Sequence, residues 1–199
     1  MSTPLKRAEF EAVFGTKALD SPLFYNHEYA LRFNLQTLYE GEWSYPEIFL
    51  SSFERAQKII RELFTPEKPI GVCLLMWGDK SLFSVRNQID TLKGNHILFP
   101  GDRDHWSELN NPDEDDEWHV YRHTLLYEAP YKDITPLLWM AIASDLGVKP
   151  TINANIFFFD REEEILAYPY DDRGMDLISP KKGSPCPIVP QAKRYAFKL

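Results

Sequence analysis

Between Tyr168 and Ile178 the chain sets Asp171, Asp172, Arg173 and Asp176 within six positions, with Gly174 among them. Carboxylates and a guanidinium this close make either a tight turn or a polar site. Aspartate suits turn starts because its side chain accepts backbone amide bonds, and glycine lets the backbone bend sharply. On the turn reading, Arg173 pairs with a neighbouring acid. On the functional reading, Arg173 offers a bidentate fork to a partner's carboxylate or phosphate while the aspartates accept from donors. No base, nucleophile and oxyanion set accompanies the segment, so no catalytic residue is assigned.

The remaining chemical constellations are weaker. His119 and His123 would meet on a helix, but on a strand they stand roughly 13 Å apart, at about 3.3 Å per residue, too far to share one ion. Asp113 to Glu117 is a run of five acids without the glycine and terminal glutamate of a calcium-binding EF-hand loop. Asp102-Arg103-Asp104-His105 follows the turn signal Pro100-Gly101 and reads as a solvated loop rather than an acid–base set. The chain has no phosphate-cradling glycine loop, no Gly-x-Ser-x-Gly elbow, no His-Glu-x-x-His and no pair of Cys-x-x-Cys knuckles. Neither a metal nor a cofactor is expected.

Charge narrows the partners. The chain of 199 residues has 22 basic and 30 acidic side chains, a formal charge of −8. A net acidic surface disfavours general nucleic-acid binding, because phosphate contacts need a basic field. After Asp176 come five basic residues and no acids, which suits a tail that docks on an acidic surface or stays solvated. Cys73 sits in an apolar run and Cys186 between two prolines, so no disulfide framework is expected and a reducing, cytoplasmic compartment is the default. The start of the chain has no apolar signal segment, and the longest apolar run, near Leu137 to Ala143, is too short to cross a bilayer.

These groups need elements to position them. Thr3 and Pro4 can open a first helix that Gly15 ends, burying Phe10, Val13 and Phe14. From Tyr29 to Leu35 the pattern alternates, with Arg32 opposite the Leu31/Phe33 face, as in a half-buried strand. Ser44 and Glu47 form a capping box for a helix over 46–64 that recurs Phe49, Phe53, Ala56, Ile60 and Leu63 on one face. Ile70 to Trp77 reads as a central strand, Val85 to Leu92 as a short helix, and Trp118 to Tyr127 as an alternating strand. An apolar helix opens at Thr135 and ends at Gly147. Ile152 to Phe159 and Ile165 to Tyr168 form a hairpin, and Met175 to Ile178 can add a short strand. Residues 180–199 carry four prolines and read as an irregular tail. The architecture expected is a single α+β domain over 1–199: a mainly antiparallel sheet of about five strands with helices packed against it.

Two segments are familiar together. Leu23 to Leu35 (Leu-Phe-Tyr-Asn-His-Glu-Tyr-Ala-Leu-Arg-Phe-Asn-Leu) resembles the opening motif of a bacterial family known as domain of unknown function 3885. Ile156 to Asp160, continuing through Tyr170-Asp171-Asp172-Arg173-Gly174-Met175-Asp176-Leu177-Ile178, resembles its closing motif. The resemblance covers residues 20 to 179 and implies a small intracellular bacterial protein, but no activity. The tail departs from it: family members continue with a helix bearing a Tyr-x-x-Trp-like pattern, and here residues 180–199 are broken by proline. The polar motif positions Asn26, Glu28, Arg32, Asp171, Asp172, Arg173 and Asp176 are the candidate binding residues. Arg32 is expected to meet the aspartates of the closing motif. The expected function is a non-enzymatic protein-binding module for a basic protein partner, as immunity proteins are for toxins, with no membrane role. The alternative is an enzyme acting on small molecules or phosphate esters through Asp171, Asp172 and Arg173.

Overall fold

A computed structural model describes residues 5–36, 41–97, 99, 102–110 and 119–180. Thr3, Pro4, the Pro100-Gly101 turn, the acidic run, Trp118, Cys186 and the tail beyond 180 lie outside these residues; the first helix, expected to open at Thr3 and Pro4, instead starts at Arg7 after an extended Lys6. The described chain builds one open antiparallel sheet of seven strands in the order β1-β7-β6-β5-β2-β4-β3. The strands are β1 (Ala30–Asn34), β2 (Ile70–Gly78), β3 (Arg103–Leu109), β4 (Tyr121–Ala129), β5 (Ala154–Asp160), β6 (Ile165–Pro169) and β7 (Gly174–Ile178). The helices are α1 (Arg7–Phe14), α2 (Leu23–Asn26), α3 (Tyr45–Leu63), α4 (Arg86–Gly94) and α5 (Ile134–Ile142).

The α+β class holds, and the sheet is larger than the expected five strands. The closing segment makes a full strand, β7, which lies between β6 and β1. The segment Asp102 to His105, read as a loop, enters β3 at Arg103. β3 shows no apolar alternation, because Arg103, His105 and Ser107 on one side and Asp104 and Glu108 on the other are polar, leaving Trp106 and Leu109 as apolar residues on opposite sides. An edge strand needs no apolar alternation when its partner strand supplies the ladder. The apolar helix ends as α5 at Ile142 rather than at Gly147; Gly147 instead takes the left-handed turn, φ 66°.

Alternation along the strands gives the sheet two buried faces. Val72, Leu74, Met76, Leu125, Tyr127, Ile156 and Phe158 join Phe49, Phe53, Ile60 and Leu63 of α3 and the apolar residues of α5 in one core. Cys73, Leu75, Leu126, Phe157, Phe159 and Leu166 join Phe10 and Phe14 of α1 and Leu23 of α2 in the other. The expected capping box closes the start of α3: Ser44 N–H and Oγ both donate to Glu47 Oε2, at 2.9 and 2.7 Å. β2 is central and fully buried from Ile70 to Met76, as its continuous apolar run predicts. β5 and β6 form the expected hairpin, with Phe158 opposite Ala167. No helix among the described residues is long and apolar enough to cross a membrane.

Candidate functional site

The opening and closing motifs meet at the β1 edge. β1 pairs antiparallel with β7, which sets Arg32 opposite Asp176; β7 pairs with β6, which sets Asp176 opposite Tyr168. Register alone therefore lines up a tyrosine, an aspartate and an arginine across three strands on the α1/α2 face. Arg32 Nε donates to Asp176 Oδ1 at 2.7 Å and Nη2 donates to Oδ2 at 2.9 Å. Asp176 Oδ2 also accepts the Phe24 backbone N–H at 3.1 Å, so the carboxylate anchors α2 to the sheet. Asp176 is wholly buried, while the Arg32 side chain keeps 27% of its surface. The bonds from Asp176 outweigh partial burial and raise the Arg32 guanidinium above its ordinary value.

Aromatic rings enclose the ion pair. The Arg32 guanidinium carbon lies 5.0 Å from the Phe24 ring centre, 5.1 Å from Tyr25 and 5.4 Å from Tyr170, within the range of cation–π attraction. Phe24 meets Tyr25 edge-on at 5.2 Å. Tyr168 stacks on Phe157 at 4.3 Å and continues to Tyr170. Burial pushes the Tyr168 and Tyr170 hydroxyls up to about 12, so both are neutral near pH 7. Gly174 makes room for the hydroxyl end of Tyr170, which occupies the space a Cβ would need and would have to shift to admit one.

The closing motif's other charges do not join this pair. Asp171, Asp172 and Arg173 form the β6–β7 turn, closed by Tyr170 N–H donating to Gly174 O at 3.2 Å. Asp171 Oδ1 accepts Arg173 N–H at 2.7 Å, and its Oδ2 accepts Arg173 Nε at 2.7 Å and also Nη2. Arg173 thus turns its fork inward, while 68% of its side chain faces solvent and Asp145 approaches Nη2 at 3.8 Å. Asp172 is buried; desolvation, and then the neighbouring Asp171 charge, raise its carboxyl above the ordinary aspartate value. Asn26 Nδ2 donates to the Asp20 carbonyl at 2.9 Å on the surface. Glu28 is exposed and bonded to the Tyr29 hydroxyl, which it raises above the ordinary value. Asn26 and Glu28 therefore flank the ion pair without touching it. Tyr25, with 71% of its surface exposed, was not among the expected site residues, although the opening motif contains it.

On the same face, farther along the sheet, charges knit α1 to the β3–β4 end. Arg122 donates to Asp20 at 2.8 Å and to Glu108 at 3.0 Å, and Arg7 Nη2 reaches Glu108 at 2.6 Å. Although burial alone would push the Glu108 carboxyl up, the bonds from Arg122 and Arg7 hold it below its ordinary value. Asp104, in the segment weighed as an acid–base loop, accepts the Arg7 backbone N–H at 2.8 Å. It satisfies a donor at the start of α1, where Lys6 has no capping side chain. Among the described residues no cluster of three or more His, Cys, Asp or Glu side chains has the arrangement of a metal site.

Comparison with known proteins agrees with the two motifs. The model of a family described as domain of unknown function (DUF3885) matches residues 7–192, nearly the whole chain. No curated protein and no solved structure matches.

Proposed function

The chain belongs to the DUF3885 family, whose description assigns no activity, and from the geometry of its two motifs we propose that it is a protein-binding module. Its partner is a basic protein, met in the bacterial cytoplasm, and the docking surface is the α2–β1 rim. One observation carries this reading. Arg32 is matched internally by the buried Asp176, and Arg173 by Asp171, whereas Tyr25, Asn26, Glu28 and Tyr29 of the opening motif remain exposed at the same rim. Tyrosine is among the residues enriched in binding hot spots, and the strut beneath holds Tyr25 and Tyr29 in place. Tyr25 offers its outer face to a cationic side chain and Glu28 offers a carboxylate beside it. The charge of −8 steers a basic partner toward the molecule.

Cross-linking in the native host identifies the partner, and titration of that partner onto variants tests the surface. Tyr25→Ala and Glu28→Arg are each expected to weaken binding about tenfold or more while the chain stays folded, with Glu28→Arg leaving the melting temperature unchanged. Binding that both variants retain in full, or a partner that is acidic, sinks the reading. The enzyme alternative draws on Asp172, a buried carboxyl held above its ordinary value beside an arginine. It requires substrate to displace Asp171 from Arg173. Turnover of small phosphate esters that disappears in Asp172→Asn would establish it in place of the docking reading.

A further inference from the structure

The far edge of the sheet holds a second polar cluster, on the opposite face from Arg32. Ser107 on β3 lies opposite His123 on β4. Ser107 Oγ is 2.7 Å from His123 Nδ1, and His123 Nε2 is 2.7 Å from the Asp79 carbonyl oxygen. A carbonyl can only accept, so Nε2 carries the proton. In the neutral ring Nδ1 is then a bare acceptor, and the Ser107 hydroxyl donates to it. His105 Nε2 stands 3.3 Å from the same Ser107 Oγ, and the two imidazoles stack at 6.2 Å. Nucleophile, base and base-orienting acceptor are thus in line, which is the arrangement that activates a serine.

The surroundings suit that chemistry. His123 is wholly buried and Ser107 is exposed, so the base is shielded while the hydroxyl can be reached. The Asp79 carbonyl is fixed by its own turn: Ser81 N–H donates to Asp79 Oδ1 at 2.8 Å and Phe83 N–H to Ser81 Oγ at 3.2 Å. Asn110 N–H donates to Val120 O at 2.8 Å, so ladder alternation places Ser107 and His123 in a non-hydrogen-bonded pair, where side chains approach most closely. It also turns the Ser107 N–H away from β4. Among the described residues no strand pairs with that outer side of β3, which leaves the N–H as a donor for an oxyanion. Leu82 and Phe83, 41% and 70% exposed, lie on the turn after Asp79 and offer an apolar landing.

We propose that Ser107 is a nucleophile activated by His123 as general base, acting on carboxylic esters with an apolar acyl group. Ser107 Oγ attacks the ester carbon as its proton passes to His123 Nδ1, and the carbonyl π pair moves onto oxygen beside the Ser107 N–H. The Asp79 carbonyl stabilises the imidazolium through Nε2–H. Collapse expels the alkoxide, which takes the proton from Nδ1. Water repeats the sequence on the acyl-serine, releasing the acid and restoring the hydroxyl. This site lies apart from the α2–β1 rim and does not rest on the docking reading.

The test is labelling of the full chain with an alkyl fluorophosphonate, in which serine displaces fluoride, with sites read by peptide mass spectrometry. Ser107 is expected to react at least about 100-fold faster than exposed Ser144, the lower bound of general-base assistance. Ser107→Ala should lose that label while keeping the circular dichroism of the folded chain. Where His123→Ala folds, its labelling should be lost and restored by added imidazole. A Ser107 rate no greater than that of Ser144 overturns the proposal, whatever the variants do. So does a folded His123→Ala that labels at the wild-type rate.

Discussion

The two edges of the sheet handle buried polar groups in opposite ways. At the β1 edge the chemistry is ionic: Asp176, wholly buried, holds Arg32 through two bonds and α2 through a third. At the β3 edge it is neutral: His123, equally buried, is held by a serine hydroxyl and a carbonyl. An ion pair in a low-dielectric site resists rearrangement, because freeing either charge leaves the other unmatched. A neutral donor–acceptor chain can move a proton along itself without separating full charges at rest. The first edge is therefore built as a strut, and the second has the construction of a reactive group.

This contrast breaks most readily at the ionic edge. Arg32→Ala strands a buried carboxylate with one backbone donor and is expected to cost about 3 kcal/mol in a denaturant melt. That is the low end of the range for a broken buried pair, since water already reaches the partly exposed arginine. Arg32→Ala combined with Asp176→Asn should cost less than the sum of the two single changes; strict additivity would show that the residues do not support each other.

Gly174→Ala comes next. The new methyl meets the Tyr170 ring and sits 3.1 Å from the Phe33 carbonyl, so the ring must leave Arg32, at a cost of about 1–3 kcal/mol. An unchanged melt would mean that the aromatic enclosure is loose. At the neutral edge the expected loss is smaller. Ser107→Ala removes the donor to His123 Nδ1, and water can replace it at this exposed position, so about 1 kcal/mol is expected. A loss matching that of Arg32→Ala would erase the distinction between the edges.

The smallest effect sharpens the comparison through pH. Folding raises the Asp172 carboxyl above its ordinary value of 3.8, first by desolvation and then by Asp171. The folded chain then holds that proton more tightly than the unfolded chain. The stability contributed by protonated Asp172 is present below 3.8 and is lost as pH rises through the folded value. Asp172→Asn should accordingly raise the melting temperature near pH 7, with the gain vanishing in acid. A gain that is the same at both pH values would trace to something other than ionisation.

How far these sites could be read in the sequence differs between the edges. Arg32 announced a polar partner because it alternates with Leu31 and Phe33, and the closing motif supplied the carboxylates. That Asp176, rather than Asp171 or Asp172, takes the arginine could not be read, because it depends on the register of two strands 144 residues apart. The split of the Asp171–Asp176 cluster into a turn and a strut has the same cause. Ser107 and His123 left no signal: β3 has no apolar alternation, with Trp106 and Leu109 on opposite sides as its apolar residues, and spacing alone offered His123 no partner but His119.

The sequence by itself determined the elements whose pattern is local. The helix over Tyr45–Leu63 follows from its capping box and apolar stripe, the central strand from its continuous hydrophobic run, and the β5–β6 hairpin from alternation around a short turn. It also determined the family, through two motifs whose residue types survive without reference to geometry. Only the tertiary structure decided the number of strands, the order of the sheet and which polar groups meet. Those depend on pairings between distant segments, and strand registry is set by the burial of both faces together rather than by any one segment. Arg32 with Asp176, and Ser107 with His123, are both cross-strand pairs, so each exists only once the sheet has closed around it.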